Sequence, residues 1–362
     1  YLKKQRKQLM VIILSLITSG LFLGYSRGDF TWTMMDQFED KVYDLKVKIT
    51  ASNEVDDRIV IIDIDEKSLA EVERWPWGRD KLASLVNQLF DYYFVAIIGF
   101  DIYFREPDES SGIRVLERLA VDDFSDIPEY QSRIAELSKE LDYDQMFVDS
   151  MMKGPAVLGY TFFTEGEAFS DLRGGVLPPA VLTADIFEDK NVHAPKASGY
   201  GVNLLKIQQA AVATGHTNRG LDEDGIARRV HMLMEYGGSY YEALSLAIAR
   251  YMLVVDDIEP VYAYEDIEEN QEINEIEGLR IGDHVIPVNV NLQALIPYRE
   301  PGNSYRYISA VDVMERRIPM EDLLGKIVLV GTSAKGLSDL RPTPIDPEFP
   351  GVEIHANLIS GI

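Results

Sequence analysis

The chain opens on an apolar run. Residues Leu9 to Tyr25 carry no charge and follow Lys3, Lys4, Arg6 and Lys7, a pattern that predicts a membrane-spanning helix with its N-terminus in the cytoplasm. As helix, that run reaches about 25 Å against a hydrocarbon core of roughly 30 Å, so Ser26 and the basic flank are expected to complete the span. A cleaved signal peptide is the competing reading, with Gly24-Tyr25-Ser26 as a weak small-x-small site. The run exceeds the roughly 7–15 residues of a signal core, which favours an uncleaved anchor. Beyond it, Met35, Phe38, Val42, Leu45 and Ile49 recur at spacings of three and four. They give an amphipathic helix whose apolar stripe has heptad form. That stripe suits a dimer seam or packing on the helix's own domain.

The pattern then changes to short apolar runs. Ile59 to Ile64 and Val95 to Ile102 read as strands, with Leu82, Leu85, Val86 and Leu89 marking a helix between them, which makes a βαβ unit of a parallel sheet. Ile327 to Val330, closed by Gly331, reads as a further buried strand. Helices are predicted over 130–152 and 241–252, and strands over 156–161, 228–234 and 305–308. A hairpin is predicted about Gly282-Asp283 within 279–290. The fold class is α/β: a mainly parallel sheet flanked by helices with additional antiparallel strands, preceded by one transmembrane helix.

Charge narrows the partners. Overall there are 35 basic and 60 acidic residues; the five basic ones up to Arg27 face no acid, which leaves the rest at −30. Such a surface repels phosphate backbones, so nucleic acid is not expected as a partner. The chain has no cysteine, which excludes disulfides, thiol catalysis and cysteine-bound zinc. The stretch 256–277 is acidic without a single base and reads as a solvated insertion.

Candidate chemistry gathers at strand ends. Asp63 and Asp65 close the first strand and Asp101 the second; if those strands are neighbours, their carboxylates meet in the crevice where open α/β sheets bind ligands. Asp339 follows the Ile327 to Val330 strand, and Glu353 and His355 come from the last helix. Asp63, Asp65 and Asp101 form a candidate oxygen set for Mg²⁺ or Ca²⁺. The same carboxylates also suit loop capping or pairing with Arg79, Arg105 and Arg341. Trp75-Pro76-Trp77 offers two indoles at the mouth of a helix, as a stacking platform or as an apolar plug over the sheet edge. Gly331 to Gly336 is followed by Leu337 and Ser338 where a phosphate loop has lysine then serine or threonine, so the charge that grips the phosphates is missing, and Asp222 to Gly225 lacks both anchoring carboxylates of a calcium loop. Both read as turns. No paired zinc spacing or nucleophile elbow occurs.

Ile61-Ile62-Asp63-Ile64-Asp65-Glu66-Lys67-Ser68-Leu69, Arg74-Trp75-Pro76-Trp77-Gly78-Arg79 and the run from Ile98 to Asp108 together resemble the type-2 CHASE domain, the extracytoplasmic sensory module of bacterial nucleotide cyclases, diguanylate cyclases and kinases. The likeness continues through Asp222 to Arg229, Leu324 to Leu337, Asp339 and Pro350 to Asn357. It implies a cytoplasmic basic tip and transmembrane helix over 1–28 and a juxtamembrane amphipathic helix over 29–52. A sensory domain over 53–362 would then run into a further, truncated transmembrane segment. It also implies residence in the inner membrane, with the main domain periplasmic or extracellular and the lipid bilayer as a partner. The ligand would be an external cue or small molecule held by Asp63, Asp65, Trp75, Trp77, Arg79, Asp101, Asp339 and His355. The protein would act as a homodimer, with a cytoplasmic output, a class III adenylate cyclase above all, that uses Mg²⁺ and ATP. No catalytic residue is expected in the chain itself. A diguanylate cyclase, a kinase, or a dimerisation module without ligand are the alternatives.

Overall fold

The computed structural model describes residues 2–26, 33–222, 224–263, 275–300, 302, 304–334 and 340–362. The chain divides into two units, 1–50 and 51–362. The first consists of two helices, α1 (Leu2–Ser26) and α2 (Thr33–Thr50). Among the described residues no helix is long and apolar enough to cross a membrane, which corrects the expectation of a transmembrane helix ahead of the sheet. On α2 the predicted stripe forms, with Phe38, Val42, Leu45 and Ile49 exposed.

The larger unit is built on an eight-stranded sheet. Its principal strands are β1 (Ile59–Asp63), β2 (Ile97–Phe100), β3 (Ala156–Thr164), β4 (Ala197–Gly201), β5 (Ala213–His216), β6 (Arg306–Ser309) and β7 (Ile327–Gly331). The order is β6-β1-β7-β2-β3, followed by β4 and Arg173–Gly174, with β5 also on β3. From β6 to β3 every pairing is parallel, as is β3 with β5, whereas β4 runs antiparallel to β3. The expected βαβ unit therefore holds a third strand: β7 lies between β1 and β2, so Asp63 and Asp101 close strands that are not neighbours.

Continuous apolar runs arise because both faces of the sheet are covered. Helices α3 (Glu66–Glu71) and α4 (Arg79–Asn87) follow β1; α5 (Tyr143–Met151), α6 (Leu244–Leu253) and α7 (Gly351–Gly361) come later. Side chains alternate along each strand. Val60, Ile62, Ile98, Phe100, Val328 and Val330 meet Leu82, Leu85 and Val86 of α4 and Phe147 and Met151 of α5. Ile59, Ile61, Ile97, Val157 and Leu329 point the other way, onto Leu244, Ala247 and Ile248 of α6 and Val352, Ala356 and Ile359 of α7. The last helix is thus part of the core. Its end is tied to the beginning of the unit, since buried Asp56 accepts from Arg58 Nη2 and from Ser360 Oγ, both at 2.6 Å.

Three predicted elements are split. The helix over 130–152 breaks into Pro128–Glu140 and α5 because the Asp142 carboxylate accepts from Gln145 N at 2.9 Å and starts a new helix. The strand over 228–234 becomes Arg229–His231 and Leu233–Tyr236, which join different sheets. The helix over 241–252 begins only at Leu244, because Ser239–Glu242 pairs with Leu233–Tyr236 as a hairpin. Around the acidic stretch, Glu259–Tyr262 pairs with Ile276–Ile281, which forms the predicted hairpin about Gly282 with His284–Pro287. The rest of that stretch, 264–274, lies outside the described residues.

Helix α6 comes close enough to β5 to need a glycine. A Cβ on Gly215 would stand 2.5 Å from Leu244 N and Cα, which are backbone atoms that cannot turn aside. Gly215→Ala is expected to lower stability by about 1–3 kcal/mol, read from the midpoint of urea unfolding. An unchanged midpoint would contradict this packing.

Candidate functional site

A cleft of about 590 Å³ opens beside the carboxyl ends of β2 and β7, where ligands enter α/β sheets. Three loops build it: Trp75 to Arg79 leading into α4, Asp101 to Ser110 after β2, and Thr332 after β7. Four of the eight residues predicted for ligand binding, Trp75, Trp77, Arg79 and Asp101, line this one space.

The two tryptophans divide the roles foreseen for them. Trp77 is 1% exposed in the core and donates its indole N–H to Glu73 O at 2.8 Å, so it is the plug. Trp75 is half-buried, 6.2 Å from Trp77 between ring centroids, and presents its indole to the cleft. The Trp75–Pro76 peptide is cis. Gly78 then brings the chain close to the opposite loop, where a Cβ would meet Ser110 Oγ at 2.7 Å. Asp108 closes that junction by accepting from the amides of Arg79 and Ser110. Burial pushes the Asp108 carboxyl up, but these amides outweigh it and hold the group below its ordinary range.

Arg79 crosses the floor of the cleft. Its guanidinium lies 4.7 Å over the Phe104 ring and 3.8 Å from Asp144. Burial draws its pKa down, and the charges of Asp144 and Asp108 oppose that shift. Arg105 lies 5.0 Å over Tyr103, whose hydroxyl bonds Thr217 at the end of β5.

The remaining candidates are spent elsewhere. Asp63, whose register places it between Ser309 and Gly331, accepts from Ser333 N at 2.8 Å and from Ser333 Oγ. Burial raises its pKa against those bonds. Asp65 caps α3 by accepting from Ser68 N at 2.8 Å and also accepts from Ser309 Oγ at 2.8 Å. Burial pushes Asp65 up, but these bonds prevail and hold it low. Capping is the role both carboxylates show, with serines rather than the foreseen arginines as partners. The Gly331 loop spends an amide on Asp63. Asp63, Asp65 and Asp101 are not gathered: among the described residues no group of three or more acidic or histidine side chains could hold a metal ion. His355 and Glu353 are buried in α7 and do not line the cleft; Glu353 accepts from Tyr307 at 2.6 Å, and burial raises its pKa. Asp339 lies outside the described residues.

Sequence reasoning missed Tyr103, Glu106 and Thr332 as lining residues and saw Arg105 only as an ion-pair partner. The available signal was position: like Asp101, they follow the ends of two parallel strands that turn out to be adjacent.

Neither the curated proteins nor the solved structures yielded a match to this chain. The family model described as the CHASE2 domain matches residues 12–362. The chain therefore belongs to the CHASE2 family, the extracellular sensory domains of signalling proteins.

Proposed function

We propose that this chain is the sensory input of a membrane-anchored signalling protein, that a small external ligand binds the cleft at the ends of β2 and β7, and that the output is a cytoplasmic adenylate cyclase making cyclic AMP from ATP with Mg²⁺. The observation that carries the reading is the cleft itself. It joins an indole, two guanidiniums and a surplus of carboxylates at the ligand-binding edge of a sensory-family fold. Attachment to the membrane, with residues 51–362 on its outer side, is part of the proposal and is supported by the chain's membership of a family of extracellular sensory domains.

Coupling would pass through the ends of the larger unit. The Asp56, Arg58 and Ser360 bonds join the chain just after α2 to the last turn of α7, so a shift of either end loads the other. A tenfold bias between two arrangements requires about 1.4 kcal/mol of differential ligand binding. In a homodimer, that shift would alter the meeting of two output domains.

Two measurements on the whole membrane protein test this. Because residues 1–362 have no cysteine, a single Glu136→Cys on the exposed Pro128–Glu140 helix adds the one thiol of this segment for a membrane-impermeant reagent, read against the labelling of the parent protein. Labelling in intact spheroplasts is expected; labelling only after lysis would end the sensory topology. Membranes carrying the whole protein are expected to convert ATP to cyclic AMP, and Asp101→Asn to change the response to cue. Formation of cyclic di-GMP or phosphoryl transfer instead would assign a diguanylate cyclase or kinase output.

A further inference from the structure

We infer that the amino edge of the parallel sheet, opposite the cleft, rests on the lipid surface, with Phe94, Met152, Val254 and Leu324 entering the headgroup layer. This rests on the proposed attachment to the membrane and adds the face of the larger unit that meets lipid.

Topology brings these residues to one edge. Leu324 shortly precedes β7 and Phe94 shortly precedes β2, and their loops join where Gly325 N donates to Phe94 O at 3.0 Å. Met152 closes α5, which leads into β3; next to it Lys153 pairs with Asp91 at 2.6 Å, and a Cβ on Gly154 would stand 2.5 Å from the Phe90 ring. That turn therefore packs beside the one that ends in Phe94. Helix α6 runs against the strands: it begins over Gly215 near the carboxyl end of β5, crosses Gly99 with Ile248, and ends at Val254. A rise of about 1.5 Å per residue then takes Val254 down to the level where β2 starts.

These side chains are held outward. Phe94 is 55% exposed, Met152 71%, Val254 90% and Leu324 53%, and apolar surface gathered in this way marks an interaction face. Phe94 sits at φ 52° and Val254 at φ 56°, the left-handed region where helices usually end in glycine and where a bulky or β-branched residue pays a steric cost. Glycine would relieve both positions and show no apolar group, so the chain keeps two exposed side chains against its own backbone preference, as interaction sites do.

The connections of the unit say what lies beneath that edge. Arg58 O, just ahead of β1, accepts from Ile327 N at the start of β7, and Arg58 Nη2 reaches Ser360 O in the last turn of α7 at 3.5 Å. Both ends of the unit are at the amino edge, so an attachment through either end turns this edge to the membrane. Arg58, Lys153 and Lys326 surround the apolar side chains, each beside an acid, namely Asp56, Asp91 and Asp57, and such long stems lie along apolar surface while their charges stay at headgroup level. Exposed Asp256 and Asp257 follow Val254, which suits zwitterionic lipid better than anionic lipid.

The test places the chain of residues 1–362 in phosphatidylcholine vesicles at about 0.15 M salt, with one cysteine per variant, Phe94→Cys, Val254→Cys, Leu324→Cys or the comparison Glu136→Cys, each carrying an environment-sensitive fluorophore. Nitroxide-labelled lipid is expected to quench the labels at 94, 254 and 324 at least about twofold more than the label at 136, and aqueous iodide at least about twofold less, as insertion to headgroup depth requires. All four positions are exposed, so the substitutions do not burden folding, and urea midpoints equal to the parent's check this. Equal quenching at all four positions overturns the inference. Protection from iodide without quenching by lipid also overturns it and assigns the edge to a protein partner; a disulfide between two copies of Phe94→Cys would make that partner a second copy of the chain. The sensory topology is read separately, from the labelling of Glu136→Cys in spheroplasts, so each reading can fail without the other.

Discussion

Arg228→Ala is expected to lower the stability of the chain by about 3–5 kcal/mol, through the cavity left by a large buried side chain together with the loss of its bonds to Asp222 and Asp224. Arg228 is 1% exposed, among the largest fully buried side chains of the molecule. Its Nη1 donates to Asp222 Oδ2 and Asp224 Oδ1 at 2.9 Å, and its Nη2 to Asp224 Oδ2 at 2.8 Å. Arg229 Nη1 adds two bonds of 3.1 Å to Asp222. The turn that makes this possible passes through Gly225 at φ 79°, a conformation glycine adopts without steric cost. Hydrogen bonding to Arg228 holds the Asp224 carboxyl below its ordinary range. Asp224 is half exposed, so water takes over when its charge is removed, and Asp224→Asn should cost only about 1 kcal/mol. The urea-unfolding midpoints of the two variants check both values. Equal midpoints for Arg228→Ala and the parent chain would show that the network contributes nothing.

That network also marks what the chain's pattern could and could not reveal. Asp222 to Gly225 read correctly as a turn, because glycine beside aspartates is a local signal. The burial of Arg228 depends on packing far along the chain, where Ala227 N donates to Pro342 O and Tyr298 Oη to Ala227 O. The parallel strands were legible for the opposite reason. Ile59 to Asp63 and Ile327 to Gly331 are apolar on both faces, and only a covered sheet suits them. Their order was not legible, since β7 comes from the far end of the sequence and enters between β1 and β2. This one insertion separates Asp63 from Asp101, assigns Asp63 to Ser333, and places Thr332 beside Asp101 in the cleft. The cleft itself was half legible: Trp75, Arg79 and Asp101 lie near strand ends and a helix start, where position in sequence predicts position in space. Tyr103 and Glu106 carry no comparable signature.

Acid is expected to unfold the domain through two histidines that no local motif marks. His216 closes β5 and is 0% exposed, with neither ring nitrogen hydrogen-bonded among the described residues; His231 has a buried Nδ1 in the same condition. Burial pulls His216 down to about 3, helped by the nearby His231, and burial pulls His231 down to about 4. Both values lie below the 6.5 of an unfolded histidine, so the unfolded chain binds protons that the folded chain refuses. The stability is complete above pH 6.5 and is lost as the pH falls toward 4, at about 1.4 kcal/mol per pH unit for each ring. Burial raises the carboxyls of Asp63, Glu242 and Glu353, and these bind protons in the folded state and act in the opposite direction. A difference measurement removes them: unfolding midpoints of the parent chain and of His216→Leu with His231→Gln, compared between pH 7 and pH 4.5. The parent is expected to lose several kcal/mol more than the double variant across that window. Parallel curves would mean that both rings take up protons in the folded domain as readily as in the unfolded chain.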